Sequence, residues 1–76
     1  MENLIRMIIK AMVDAPEEVM VKEIESQWVS IYEIKVAKTD TGKVVGKHGR
    51  NAEALRTIVN AISAKHRRRS LLQILD

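Results

Sequence analysis

Cysteine is absent from this chain of 76 residues, so a disulfide framework, a thiolate metal site and a cysteine nucleophile are all excluded. Histidine is nearly as scarce: His48 and His66 are the only two, too far apart in sequence to make a metal-ligand set by themselves. Neither metal nor cofactor is expected. No nucleophile–base pair stands out either, so nothing argues for an enzyme. Aromatic residues are limited to Trp28 and Tyr32, which leaves little for stacking bases or flat ligands. Long apolar runs are missing too. Glu2, Arg6 and Lys10 interrupt the N-terminal apolar residues, and no stretch has the h-region of a signal peptide or the length of a membrane span. A soluble cytoplasmic protein is the expectation, folded as one domain over residues 1–76 and burying roughly 60% of its unfolded surface.

Charge is present in quantity and unevenly placed. Residues 1–38 hold 5 Lys/Arg against 7 Asp/Glu, whereas residues 39–76 hold 8 against 3, so the second half carries the net positive charge and suits a polyanionic partner. The 3 glycines also fall in that half, at Gly42, Gly46 and Gly49. Gly46 and Gly49, three apart, let the backbone turn sharply and approach a ligand closely. Lys47 and His48 lie between them and Arg50 follows, which makes the exposed side of the turn cationic. A helix-forming run starts at once, placing free N–H groups and the positive end of a helix dipole at the turn. A phosphate backbone suits this device best.

Hydrophobic periodicity places the elements around the turn. Residues 3–14 read as an amphipathic helix with a polar stripe of Asn3, Arg6, Lys10 and Asp14, stopped before Pro16. Val19 to Glu25 reads as a strand in which Val19 and Val21 share one parity and Ile24 the other, which predicts a bulge near Lys22-Glu23. After a turn at Glu25-Ser26-Gln27, residues 28–37 form a second strand with Tyr32, Ile34 and Val36 on one face, antiparallel to the first. Thr39-Asp40-Thr41 supplies an N-cap cluster for a short helix over 41–46, broken by Gly46. A longer helix over 51–65 carries Leu55, Ile58, Val59 and Ile62. The basic run Lys65-His66-Arg67-Arg68-Arg69 leads into a last strand over 70–75.

A glycine–lysine pair invites comparison with a nucleotide-binding P-loop. That loop requires four residues between its glycines and a Ser or Thr after the lysine, but Gly42 and Gly46 enclose three and His48 follows Lys47. The order αββααβ together with Val44-Val45-Gly46-Lys47-His48-Gly49-Arg50 instead resembles the K-homology (KH) domain in its bacterial, type II arrangement. In KH domains a GxxG loop joins two helices and clamps about four single-stranded nucleotides. Similarity to the KhpA family of small bacterial single-KH proteins covers nearly the whole chain. It includes the opening helix ending in Asp-x-Pro, the Val-x-Val strand, Asp40 to Arg50, and Ala54-Leu55-Arg56-Thr57. Two positions depart mildly: Val45 stands where isoleucine is more usual, and His48 where other polar residues are common.

This resemblance implies an α+β fold, a three-stranded sheet with three helices packed on one face, and a non-enzymatic role in holding short single-stranded RNA. Gly46 and Gly49 would admit the backbone, Lys47, His48 and Arg50 would supply charge, Lys43 would line the groove entrance, and Val44 and Val45 would divide between core and groove. The family also implies a post-transcriptional or RNA-chaperone-like role linked to cell elongation and division. Self-association, or pairing with a larger KH-containing protein, belongs to the same implication; a scaffold with incidental RNA binding is the rival reading. The sequence itself supports association, since Ala54, Ile58 and Ala61 extend the apolar arc of the long helix beyond what the sheet should need. They predict a two-fold dimer with Ile58 near its centre, or else Ile58 is an ordinary core residue.

Overall fold

Ile5 and Ile9, one helical turn apart, account for the first element. In the computed structural model, which describes residues 1–75, both are fully shielded from solvent on the inner face of α1 (Glu2–Met12). Arg6 donates to Glu2 at 2.7 Å and to Asn3 at 2.8 Å, local pairs worth a few tenths of a kcal/mol in an isolated helix. The helix stops two residues before the expected Asp14. Val13 is already extended, and the N–H groups of Asp14 and Ala15 donate to the carboxylate of Asp40 at 3.2 and 2.9 Å. Pro16 then opens a single 3-10 turn, Pro16–Glu18, at a position where its missing N–H costs nothing.

Strands β1 (Met20–Glu25) and β2 (Val29–Lys35) form the expected antiparallel hairpin, in unbroken register from Met20 opposite Lys35 to Glu25 opposite Ser30. The bulge expected near Lys22-Glu23 does not occur. Strict alternation places Ile24 with Met20 and Lys22 on the open face of the sheet, where it is 43% exposed, so no extra residue is needed to turn it inward. Trp28 lies outside β2, in the hairpin connection. Strand β3 (Arg69–Ile74) runs parallel to β2, giving a mixed sheet in the order β1-β2-β3.

A parallel neighbour needs a crossover, and α2 (Thr41–Val45) and α3 (Arg50–Lys65) supply it. All three helices cover one face of the sheet, an α+β fold. Val21, Tyr32, Ile34 and Leu72 from the strands meet Ile5, Ile9, Val44, Leu55 and Val59 from the helices in one core. Asp40 precedes α2 as expected of an N-cap, but its side chain makes no capping bond there. It is buried, and the amides that follow α1 take its oxygens instead. No helix among the described residues is long and apolar enough to cross a membrane.

Candidate nucleic-acid interface

Helix α2 ends where its backbone can no longer remain helical. Gly46 has φ 78° and ψ 171°, a region open essentially to glycine alone. His48 and Gly49 follow with φ 59° and 72°, both left-handed. These positive values reverse the chain within one 3-10 turn, Lys47–Gly49, so that α2 passes directly into α3. Three backbone bonds hold the turn: Gly46 N–H to the Gly42 carbonyl at 2.9 Å, Gly49 N–H to the Gly46 carbonyl at 3.1 Å, and Arg50 N–H to the Lys47 carbonyl.

The two glycines sit in different surroundings. A Cβ on Gly46 would lie 2.6 Å from Cγ of Asn51 and 2.8 Å from its Nδ2, whereas a Cβ on Gly49 would enter open space. Asn51 occupies that place because its Nδ2 donates to the carbonyl of Lys43 at 2.9 Å, one of the carbonyls that the end of α2 leaves without an intrahelical partner. Sequence reasoning overlooked Asn51. The available signal was an amide side chain in the first turn after a helix-breaking glycine, within reach of those carbonyls.

Lys47, His48 and Arg50 are all exposed. Among the described residues no carboxylate forms an ion pair with Lys47 or Arg50, and no side chain caps the N-terminus of α3. The loop therefore brings together two unpaired cations, an imidazole and a helix N-terminus that no side chain caps. Lys43 is differently placed. Its ammonium bonds to the carboxylate of Asp14 and approaches Asp40 at 3.4 Å. The hydrogen bond from Asp14 raises its pKa against the opposing effect of desolvation, with Asp40 adding to the rise. Val44 is fully buried and Val45 only partly so, dividing between core and surface.

Beyond the loop, an open cleft of about 280 Å³ runs between α3 and the edge strand β3. Arg56, Val59 and Asn60 line one wall, and Ser70 to Gln73 line the other. Arg56 reaches across it, its Nη2 3.4 Å from the Leu72 carbonyl. At 1.5 Å per residue, Arg56 stands about 9 Å along the helix from Arg50. Ile34 and Val36 are core residues and do not line this cleft. Ala54, Ile58 and Ala61 are exposed on α3, so Ile58, at 44% exposure, is not part of the core.

A family model described as the KH domain of KhpA/KhpB matches residues 2–74. The chain belongs to the KhpA/KhpB KH-domain family. It is similar to the RNA-binding protein KhpA of Caldanaerobacter subterraneus, 45% identical over 75 residues that cover 99% of this chain and all of that one. The RNA-binding protein KhpA of Clostridium acetobutylicum is 43% identical over 75 residues, with the same coverage. That of Listeria monocytogenes is 41% identical over 76 residues, spanning both chains completely. No solved structure matches. In this KhpA/KhpB-family chain the cationic loop opens α3, and the cleft begins at Arg56, about 9 Å further along the same helix.

Proposed function

We propose that this chain is a non-enzymatic RNA-binding protein that takes short single-stranded RNA on the loop 46–50 and in the cleft between α3 and β3. The observation that carries the reading is the coincidence, at one turn, of an α3 N-terminus that no side chain caps with the unpaired charges of Lys47 and Arg50. Gly49, where a Cβ would enter open space, lets a sugar–phosphate backbone approach, and the N–H groups receive its oxygens. Relatives named RNA-binding proteins over the full length of the chain support the same reading. Val45 and the cleft walls offer apolar surface to the bases. Lys43, already held by Asp14 and Asp40, positions α2 and adds a partly neutralised charge at the groove entrance.

The cellular role that follows is post-transcriptional and chaperone-like, connected with cell elongation and division. The protein acts there as a homodimer or beside a larger KH-containing protein. A scaffold reading has one observation of its own, the exposed face of Ala54, Ile58 and Ala61, which fits self-association without excluding RNA.

Titration with single-stranded and duplex RNA tests the RNA reading. Single strands are expected to bind more tightly, with Kd in the micromolar range or weaker. Two to four contacted phosphates give a log–log salt slope of roughly −1.5 to −3, at about −0.7 per phosphate. Replacing Lys47 and His48 together by Asp puts negative charge where a phosphate should sit and abolishes binding. The fold should lose no more than about 0.5 kcal/mol per exposed position. Preference for duplex, or binding retained by the double variant, overturns the reading.

A further inference from the structure

The basic run 65–69 is not one patch. Arg68 is drawn inward: its guanidinium donates to the Ser26 carbonyl at 2.8 Å and the Ser30 hydroxyl at 2.9 Å, and approaches Glu25 at 3.5 Å. It fastens the hairpin connection to the junction of α3 and β3. Lys65, Arg67 and Arg69 are left exposed, with no carboxylate paired to them among the described residues. Arg67 sits in the left-handed region, φ 55°, where the chain turns out of α3 into β3.

Trp28 adjoins the last of them. Its carbonyl accepts the Arg69 N–H at 3.1 Å, and its side chain is 70% exposed. A large aromatic side chain left that far in water, in a chain with one other aromatic, calls for an explanation that packing does not supply. Beside unpaired arginines it makes the combination that holds single strands elsewhere, a π-face for a base and cations for the phosphates on either side.

The position fits. The α3–β3 junction lies at the C-terminal end of α3, directly before Ser70 on the cleft wall, and the loop 46–50 lies at the other end of the helix. The 16 residues of α3 span about 24 Å. A stacked strand rising about 3.4 Å per nucleotide covers that length in about seven nucleotides, against about four held by a KH clamp.

Building on the RNA-binding reading, we infer that Trp28, Arg67 and Arg69 form a second RNA contact, which stacks one base on the indole and holds its neighbouring phosphates. The bound strand then runs from the loop, along the cleft, to this corner.

Trp28 is the only tryptophan, so its fluorescence reports on the corner directly. Unstructured, end-labelled RNAs of about four and about twelve nucleotides separate the two contacts, since the clamp alone is filled by the shorter. The short RNA should bind, by anisotropy, without changing the tryptophan emission. The long one should quench it and bind about tenfold more tightly, the gain expected of one stacked base. Trp28→Ala, and separately Arg67→Ala with Arg69→Ala, should remove that gain and leave the short RNA unaffected. The arginine pair should also reduce the salt slope for the long RNA by about 1.4, two phosphates' worth. Unchanged emission at saturation with long RNA, equal affinity for both lengths, or a length gain that survives the variants overturns the second contact alone. If the wild-type protein binds neither length, the RNA-binding reading falls with it.

Discussion

At the residue scale the loop depends on the amide of Asn51 as much as on its glycines. That side chain fills the space a Cβ on Gly46 would need and closes α2 onto α3 through the Lys43 carbonyl. Gly49 has only its left-handed φ to satisfy, and asparagine adopts that conformation at small cost. Gly49→Asn should therefore change stability by less than about 1 kcal/mol. Gly46→Asn should cost about 3 kcal/mol, since strain in a glycine-only region alone is on the order of 1–3 kcal/mol and Asn51 must also be displaced. Urea unfolding of the two variants checks the difference, and equal stabilities would show that Asn51 does not hold the turn. The GxxG pattern and its charges were legible in the sequence because they are local. The contact of Asn51 with a carbonyl eight residues earlier was signalled only by the residue type, an amide just past the helix-breaking glycine, because its making depends on the angle at which two helices meet.

Among the elements, periodicity recovered which faces are buried and misplaced where elements stop. Ile5, Ile9, Leu55 and Val59 lie inside as their spacing predicts. The end of α1 is set instead by Asp40, 26 residues beyond Asp14, a competition that no local pattern reveals. The expected bulge in β1 came from assuming that every apolar strand residue faces the core, which Ile24 does not. Asp40 couples α1 to the entrance of α2 and makes that coupling sensitive to acid. Burial alone would raise its pKa, but the N–H groups of Ala15 and Asp14, with the Lys43 ammonium, outweigh this and hold the carboxyl below its ordinary value. A pKa lower in the folded state than in the unfolded chain stabilises the fold above the unfolded value, about 3.9. That stabilisation is lost as pH falls through the folded value. The melting temperature should accordingly decline below about pH 5. Asp40→Asn should melt several degrees lower at neutral pH, because its NH2 group opposes one of the two amides, and should show a shallower acid decline. An unchanged acid profile in that variant would assign the decline to other carboxylates.

For the whole molecule, the remaining question is what covers the outer face of α3. Ala54, Ile58 and Ala61, at intervals of four and three residues, place an isoleucine between two alanines on one exposed stripe, and none of the three belongs to the core. Small residues on either side of Ile58 allow a second copy of the helix to approach closely, and a stripe that meets its own copy produces a two-fold axis. Such a dimer leaves the core of each copy intact. Ile58→Lys should therefore yield a folded monomer with an unchanged circular dichroism spectrum, and its melting temperature should fall only by the share that association contributed, which grows with protein concentration. Sedimentation of wild type at tens of micromolar should show the dimer. A wild-type monomer at that concentration rules the dimer out, and an unfolded Ile58→Lys chain would mean that Ile58 supports its own fold. Lys47 lies on the loop before α3, and Arg50, although it continues the stripe one turn before Ala54, stands eight residues, about 12 Å, from Ile58, so the monomeric variant should still bind the short RNA. If dimer and RNA affinity are lost together, the binding site is built by two copies, and the loop of a single chain is not sufficient.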